Sequence, residues 1–247
     1  MTKNEPKIII IPARMDSKRL PGKPLAKISG KPMIQWVWEC AIRSKLGPVF
    51  IATDSQEIAD VVHSFGGYAV ITKNNHPSGS DRVFEALQLV DPESKFQQII
   101  NLQGDLPEIS SCALLRLGKA LDETNADLST LVAPSSSAEA SREQVVKTVV
   151  SWNEEFGRAL YFSRSKITSG ADTFLHHIGV YGWRREALSR FVKAPPSPLE
   201  LGEKLEQLRA IEMGMEISVS MIESAPVSID TEEDLTAFQK LLNSRED

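Results

Sequence analysis

The sequence predicts an α/β fold with a doubly wound, mostly parallel sheet and an inserted antiparallel layer. Short apolar runs typical of buried strands alternate with amphipathic helix patterns through the first half of the chain. Capping residues and glycines separate the two kinds of pattern. After about residue 132, strand patterns follow one another with less helix between them, which indicates the inserted layer.

The elements of the first half follow in regular order. Strands are predicted at residues 8–11, 49–52, 68–71 and 98–102, and helices at 32–44, 80–90 and 110–124. A further helix is opened by a capping box of Asp54 and Glu57, runs to Phe65, and is stopped by Gly66 and Gly67. Strands with helices between them are typical of a parallel sheet, which binds its ligands at the carboxyl ends of the strands.

The second half departs from this alternation. Strands are predicted at residues 127–132, 145–152, 159–163, 176–182 and 217–222. One amphipathic helix is predicted over 198–213, because leucines recur there at helical spacing and Glu200 can pair with Lys204. A last helix follows Asp230. We therefore expect a single domain over residues 1–247 with an inserted region at about 133–200.

Composition limits the functional classes. The 247 residues carry 28 Lys and Arg against 33 Asp and Glu, a formal net charge of -5, which argues against a nucleic-acid partner or a membrane-surface binder. No apolar run approaches the ~20 residues of a membrane span, and the first residues lack a signal-peptide pattern, so we expect a cytoplasmic protein without membrane insertion. Cys40 and Cys112 lack metal-ligand spacing and are expected to be buried, reduced thiols.

Positive charge is concentrated near the start of the chain. Residues 1–31 hold eight Lys or Arg but only two acids. In the Pro- and Gly-rich segment 12–31, which follows the first strand, the cations are Arg14, Lys18, Arg19, Lys23, Lys27 and Lys31. A basic loop at the carboxyl end of a strand suits a small polyanion such as a nucleotide; a solvated charged loop is the alternative. Neither GxxxxGK[ST] nor GxGxxG occurs, so no motif supports the interpretation as an ATPase or as a nicotinamide-dependent enzyme.

Two carboxylates stand out beside this loop. Asp105 follows strand 98–102 and Gly104, whose missing side chain lets the backbone approach a ligand, so Asp105 is placed to hold a hard divalent cation that bridges phosphates. A turn aspartate is the alternative, since Asp is common where strands end. From the residues alone, Asp230 forms a capping box with Glu233 at the start of the last helix.

A series of longer motifs extends over nearly the whole chain. In order they are PARxxSxRLPGKPL from Pro12, GKPMI from Gly30, ATD from Ala52, HPSGSDR from His76, NLQGD from Asn101, ALYFSR from Ala159, HIGVYG from His177, SPLELGEKLEQLR from Ser197 and IDTEEDL from Ile229. Together they resemble the 3-deoxy-manno-octulosonate (Kdo) cytidylyltransferase, or CMP-Kdo synthetase, family. The resemblance implies a nucleotide-diphospho-sugar transferase type of fold. It also implies transfer of CMP from CTP to the anomeric hydroxyl of Kdo, giving CMP-Kdo and pyrophosphate for lipopolysaccharide synthesis.

The resemblance further implies roles for individual residues. The nucleotide-binding positions are Arg14, Ser17, Arg19, Lys23, Ser78, Gly79 and Arg82. The sugar-binding positions are Gln103, Arg164, His177, Glu206 and Gln207. The catalytic positions are Lys23, Asp105 and Asp230, and the two aspartates hold Mg²⁺, the implied cofactor. The family also implies a homodimer through the inserted strands, and the polar segment 165–172 is expected to close over the sugar.

Plainer roles and other functions stay open at this point. From the residues alone, His177 is a core histidine with His176 on the opposite strand face, Arg82 makes a surface ion pair, and Glu206 and Gln207 face solvent. The closest rival function is a cytidylyltransferase for another acidic sugar, such as sialic acid or an amino analogue of Kdo, or for methylerythritol phosphate. A glycosyltransferase that uses a nucleotide sugar and a non-catalytic nucleotide sensor are more distant alternatives.

Overall fold

A computed structural model describes residues 5–17, 19–168 and 173–246; residues 245 and 246 are described by their backbone alone. Lys18 of the basic loop and residues 169–172 of the polar segment 165–172 lie outside the described residues. The chain divides into two compact units. Unit A contains Lys7–Lys95, Asn101–Leu114 and the chain from Pro226 onward, and unit B contains Phe96–Ile100, Leu115–Ala225 and the residues before Lys7.

In the first half of the chain the described elements follow the predicted alternation; in the second half a helix at 185–193 is present that the sequence did not predict. The strands are β1 (Lys7–Ala13), β2 (Lys27–Ile28), β3 (Lys31–Pro32), β4 (Val49–Thr53), β5 (Tyr68–Ile71), β6 (Gln98–Asn101), β7 (Leu128–Ser136), β8 (Lys147–Asn153), β9 (Phe156–Ser163), β10 (Thr173–Arg184) and β11 (Ile217–Met221). The helices are α1 (Met33–Ser44), α2 (Gln56–Ser64), α3 (Gly79–Val90), α4 (Ser111–Glu123), α5 (Ser137–Ala140), α6 (Arg185–Lys193), α7 (Pro198–Glu203), α8 (Gln207–Glu212) and α9 (Glu232–Glu246). The predicted α/β class is confirmed.

Unit A contains a parallel sheet in the order β5, β4, β1. Ile9 of β1 pairs with Val49 of β4, and Phe50 of β4 pairs with Tyr68 of β5. The isoleucines at positions 8–11 are fully buried, as expected where a parallel sheet is covered on both faces. The backbone N–H of Leu102 donates to the carbonyl oxygen of Ile10 at 3.1 Å, so the segment after Leu102 emerges beside the carboxyl end of β1.

Unit B contains the inserted antiparallel strands. β10 runs antiparallel to β7, with Trp183 opposite Leu128, and β11 runs parallel to β7. β9 pairs antiparallel with β11, and β8 and β9 form a hairpin. The described part of the region 133–200 lies within unit B. Its description as an insertion into a single domain stays a prediction.

The predicted continuous helix over 198–213 is wrong. The chain forms two short helices, α7 and α8, because Lys204 between them takes a left-handed conformation with φ of 55°. Glu200 does not pair with Lys204: its carboxylate accepts a hydrogen bond from Nε of Arg209 at 2.7 Å. The break leaves Leu201 66% exposed while Leu208 is fully buried. Leucine spacing alone could not show the change of direction.

Two smaller predictions also need correction. The cap of α2 is Ser55, whose Oγ accepts from the backbone N–H of Ile58 at 3.4 Å, and not Asp54. Cys40 is buried as predicted, but Cys112 is exposed. Among the described residues, no helix combines the length and the apolar character needed to cross a membrane.

Candidate active site

A cavity of about 590 Å³ opens in unit A where β1 ends. Its lining comes from the loop after β1, from the segment 103–105 and from Asp230, which lies two positions before α9. Of the predicted site residues, the cavity gathers Arg14, Ser17, Arg19, Lys23, Gln103, Asp105 and Asp230. Three of these side chains are cationic and two are carboxylates, so the cavity is suited to a ligand that carries phosphates and a cation.

The basic loop presents Lys23 on a tight turn. Gly22 adopts a left-handed φ of 67°, which a glycine does without steric cost, and its N–H donates to the carbonyl oxygen of Met15 at 3.3 Å. A 3₁₀ turn, Lys23–Leu25, follows, and the N–H of Leu25 returns to the carbonyl oxygen of Gly22 at 2.8 Å. The lysine side chain is only 14% exposed, so the turn directs it into the cavity.

The ammonium group of Lys23 joins the two predicted carboxylates. Its Nζ lies 2.9 Å from Oδ2 of Asp105 and 2.9 Å from Oδ1 of Asp230. Arg19 adds a second cation, because its Nη2 lies 2.9 Å from the same oxygen of Asp230. The side chains of the two aspartates are 28% and 33% exposed, so both oxygens can still reach a ligand. The two acids therefore converge on one point, as the family resemblance implied.

The position of Asp105 depends on close backbone packing. A Cβ added to Gly104 would lie 3.3 Å from the carbonyl oxygen of Pro12, tighter than most real contacts. Glycine at this position therefore lets the segment 103–105 lie against the end of β1. The backbone N–H of Ile229 donates to the carbonyl oxygen of Asp105 at 3.1 Å, which brings the residue after Ile229 to the same place.

Asp230 is not the cap of α9, so that part of the sequence interpretation is wrong. Thr231 caps this helix: its Oγ1 accepts from the N–H of Asp234 at 3.2 Å, and the Asp234 carboxylate accepts from the N–H groups of Asp230 and Thr231 at 3.0 Å. The reciprocal pair satisfies the helix end. Ile229 is fully buried in an apolar cluster with Met33. The carboxylate of Asp230 is thus left to face the cavity.

This donor set fits a magnesium ion. Mg²⁺ prefers oxygen ligands and is held in enzymes by one or two carboxylates together with phosphate oxygens and water. Asp105 and Asp230 supply two carboxylates that already share one cation, the ammonium of Lys23. No group of three or more His, Cys, Asp or Glu with metal-site geometry occurs within the part of the chain that the structure describes. A metal held here would therefore complete its coordination with ligand oxygens.

The residues predicted to surround the base lie at the start of α3. Ser78 caps the helix: its Oγ accepts from the N–H of Asp81 at 3.3 Å and donates to the Asp81 carboxylate at 2.7 Å. Arg82 is 4% exposed, and its guanidinium donates to Asp54 and to Thr72, both at 2.7 Å. Ser78, Gly79 and Arg82 are not among the residues that line the 590 Å³ cavity. Arg82 thus makes a buried ion pair, and not the surface pair that its helical position suggested.

Gln103 lines the cavity, and its amide is the last group of a hydrogen-bonded chain of polar side chains. The other two members, Asn101 and Ser80, are not among the predicted site residues. Nε2 of Gln103 donates to Oδ1 of Asn101 at 3.0 Å, and Nδ2 of Asn101 donates to Oγ of Ser80 at 3.3 Å. Asn101 is fully buried. The signal in the sequence is an asparagine that directly follows the apolar pair Ile99 and Ile100 in β6, since a buried amide needs hydrogen-bond partners. The sequence also does not indicate that Asp54 is the partner of Arg82, because the position of Asp54 before α2 predicts a helix cap.

The remaining sugar-binding predictions lie in unit B. His177 is buried, and its Nε2 lies 2.9 Å from Oγ1 of Thr130 while its Nδ1 lies 3.5 Å from Nε2 of Gln207. Burial, and to a lesser extent the neighbouring His176, lowers the pKa of His177 to about 3, so its ring is neutral. Gln207 is also buried and accepts from the hydroxyl of Tyr181 at 3.2 Å. The predicted solvent-facing alternative for Gln207 is therefore wrong.

Arg164 and Glu206 complete this set. The guanidinium of Arg164 donates to the carbonyl oxygens of Glu203, Glu143 and Lys204 at 2.9, 3.2 and 3.3 Å. Arg164 therefore stabilises the break between α7 and α8. Glu206 is half-buried, and its charge adds to the effect of burial in raising the pKa of Tyr181. Their roles toward a sugar stay predictions.

Comparisons with known proteins place this geometry in a family. The cytidylyltransferase family model matches residues 8–217. The 3-deoxy-manno-octulosonate cytidylyltransferase of Paramagnetospirillum magneticum is 46% identical over 240 residues, covering 96% of this chain and 98% of that protein. The enzyme of the same name from Parvibaculum lavamentivorans is 48% identical over 240 residues, covering 96% and 93%. The chain belongs to the 3-deoxy-manno-octulosonate cytidylyltransferase family.

Solved structures agree with this family. A CMP:2-keto-3-deoxy-manno-octonic acid synthetase complexed with CTP is 37% identical and superposes with a TM-score of 0.88, covering 97% of this chain and 99% of that one. The 4-diphosphocytidyl-2C-methyl-D-erythritol synthase of Anaerococcus prevotii, 14% identical with a TM-score of 0.66, shares the fold alone. Membership in the 3-deoxy-manno-octulosonate cytidylyltransferase family confirms the resemblance that the motifs indicated.

Proposed function

We propose that this protein transfers the CMP group of CTP to the anomeric hydroxyl of Kdo, giving CMP-Kdo and pyrophosphate. Relatives at 46% and 48% identity carry the name of this activity, and a structural neighbour at 37% identity is complexed with CTP. The C2 hydroxyl oxygen of the sugar attacks the α-phosphorus of CTP in line. The bond from this phosphorus to the oxygen that bridges it to the β-phosphorus breaks, pyrophosphate leaves with the electron pair, and the proton of the attacking hydroxyl is released to water.

One observation in the site carries the proposal: Lys23, Asp105 and Asp230 meet at 2.9 Å in a cavity that also holds Arg14 and Arg19. Phosphoryl-type transfer depends on positioning and on neutralising charge, with little need for a covalent nucleophile. Cations beside paired carboxylates meet that need. Among the described residues that line the cavity there is one serine, Ser17, and no cysteine, and transfer of this kind needs neither as a nucleophile.

The paired aspartates are the residues that would hold Mg²⁺. Bound there, Mg²⁺ would neutralise phosphate charge and acidify the attacking hydroxyl. The cations of the loop would bind the triphosphate, because Arg14, Arg19 and Lys23 supply charged donors in the lining of the cavity. Lys23 would stabilise the negative charge that builds on the leaving pyrophosphate, once its ammonium exchanges the two carboxylates for phosphate oxygens.

Further parts of the proposal follow from the family. Gln103, which lines the cavity, would contact the sugar. The proposed product supplies a lipopolysaccharide pathway, and the proposed assembly is a homodimer. The cytoplasmic location expected from the sequence stays a prediction.

The test is pyrophosphate release from CTP and Mg²⁺ with a panel of acceptors. We expect release with Kdo that exceeds release with sialic acid, with an amino analogue of Kdo and with methylerythritol phosphate. Preference for one of the other acceptors would replace Kdo in the proposal. Consumption of a nucleotide sugar without pyrophosphate would indicate a glycosyltransferase, and CTP binding without turnover would indicate a sensor.

A further inference from the structure

A buried chain of amide and hydroxyl groups leads from the start of α3 to the cavity in unit A. Asn101, at the end of β6, is fully buried and donates from Nδ2 to Oγ of Ser80 at 3.3 Å. Its Oδ1 accepts from Nε2 of Gln103 at 3.0 Å. Gln103 is the member of this chain that lines the cavity.

In this arrangement the NH₂ end of the Gln103 amide is paired within the chain of polar groups, and its oxygen end is not. A glutamine amide can rotate by half a turn and present either its oxygen or its NH₂ group. Here Nε2 is held by Asn101, and Asn101 is itself held by Ser80. A Cβ at Gly79 would lie 3.6 Å from Oε1 and 3.7 Å from Nε2, so the amide also packs against this glycine. The oxygen Oε1 is left as an acceptor.

We infer that Asn101 is a positioning residue, which holds Gln103 so that Oε1 accepts a hydrogen bond from a hydroxyl group of the acceptor sugar. The inference rests on the proposed function, because it takes Gln103 as a sugar contact. Asn101 does not touch the substrate: it acts through the orientation of one amide. An isosteric Asp at position 101 would keep an acceptor for Nε2 in either protonation state, whereas Leu would offer none.

The kinetic test compares Asn101→Leu, Asn101→Asp and Gln103→Leu with the double variant. Asn101→Leu should raise the KM for Kdo about three- to tenfold, the cost of one misaligned neutral hydrogen bond, with the KM for CTP within about twofold. Asn101→Asp should recover most of the loss. In the Gln103→Leu background, Asn101→Leu should add nothing, because its partner is already gone.

Ser44→Ala is the matched control. Ser44 is a buried polar residue of unit A that donates to Ala41 within α1 at 2.6 Å, so its loss tests general destabilisation of the unit. Its two KM values should match those of the wild type. If Asn101→Leu does not fold, Ser80→Ala serves instead, because it removes only the hydrogen bond between Asn101 and Ser80. It should raise the KM for Kdo by a smaller factor. Equal effects of Asn101→Leu with and without Gln103, or no effect, would overturn the inference.

A second readout separates this inference from the proposed function. In ¹⁵N-labelled protein, the side-chain NH₂ of Gln103, assigned by its loss in Gln103→Leu, should exchange slowly with solvent in the wild type and in Asn101→Asp. It should exchange fast in Asn101→Leu. Fast exchange in the wild type would refute the positioning role, whatever the activity. Wild-type protein that shows slow exchange but releases no pyrophosphate with Kdo would refute the proposed function and leave the amide orientation established.

Discussion

Lys23 occupies the point where the proposed metal ligands meet, so its removal should make the protein depend on Mg²⁺ for stability. The structure gives two ion pairs at 2.9 Å between Nζ and the carboxylates of Asp105 and Asp230. At an effective dielectric constant of ~20, each pair is worth about 6 kcal/mol of gross attraction. Desolvation of the lysine and partial exposure of both acids cancel most of it.

We expect Lys23→Met to lower the free energy of unfolding by about 2 kcal/mol without metal, because two carboxylates lose their shared cation. For a chain of this size, that corresponds to about 4–8 °C in melting temperature. A divalent cation can then bind between the acids without displacing an ammonium. With a dissociation constant of ~1 mM, about 10 mM Mg²⁺ would return about 1.4 kcal/mol to the variant. The wild type should gain less.

The assay is thermal unfolding with and without MgCl₂ at constant ionic strength, since salt alone screens charges. Lys31→Met is the control: Lys31 pairs with Glu39 at 2.8 Å and is not among the residues that line the cavity, although its side chain is 31% exposed against 14% for Lys23. Mg²⁺ should not restore that variant. Equal stabilisation of the wild type and of Lys23→Met by Mg²⁺ would refute the reasoning that the ammonium and the metal compete for one place.

Three other changes test the account. Asp105→Ala should leave a folded protein whose turnover falls by on the order of 10² or more while its calorimetric affinity for CTP changes only a few-fold; near-normal turnover would remove Asp105 from the mechanism. His177, with its pKa of about 3, gives stability that is complete above the unfolded-state pKa near 6.5 and is lost as pH falls toward 3. In urea unfolding, the loss between pH 7 and pH 5 should be about 2 kcal/mol smaller in His177→Leu; an identical loss would indicate that the ring takes up its proton over the same pH range in the folded and the unfolded protein. Arg82→Met should lower the free energy of unfolding by about 3 kcal/mol, because it removes the buried donor to the carboxylate of Asp54 and the hydroxyl of Thr72. Unchanged stability with weaker CTP binding would instead show that Arg82 serves only as a nucleotide contact.

Strand positions and the basic loop were predictable, because their signals are local. The run of isoleucines at 8–11, followed directly by a segment rich in Pro, Gly and cations, favours a buried strand that ends in a basic loop. The convergence of Asp105 and Asp230 was predictable only from the family motifs. These residues are 125 positions apart, and pattern alone assigned Asp230 to a helix cap that Thr231 provides.

The errors share a physical cause: side chains that bond locally in sequence can bond elsewhere in the fold. Asp54 was assigned to the cap of α2, but its carboxylate accepts from buried Arg82. Glu200 could pair with Lys204 one helical turn away, but it accepts from Arg209 across the break at Lys204. Asn101 follows the apolar pair Ile99 and Ile100, which indicates a buried amide, but spacing along the sequence does not show its partners.

The most direct test of the central claim is quantification of CMP-Kdo and pyrophosphate formed from CTP and Kdo, with Mg²⁺ and then with excess chelator. We predict one pyrophosphate for each CMP-Kdo with the metal, no product with chelator, and recovery when Mg²⁺ is restored. Product formed at the full rate in chelator, or by Asp105→Asn and Asp230→Asn variants with Mg²⁺, would contradict the claim that these two aspartates and a shared cation drive the transfer.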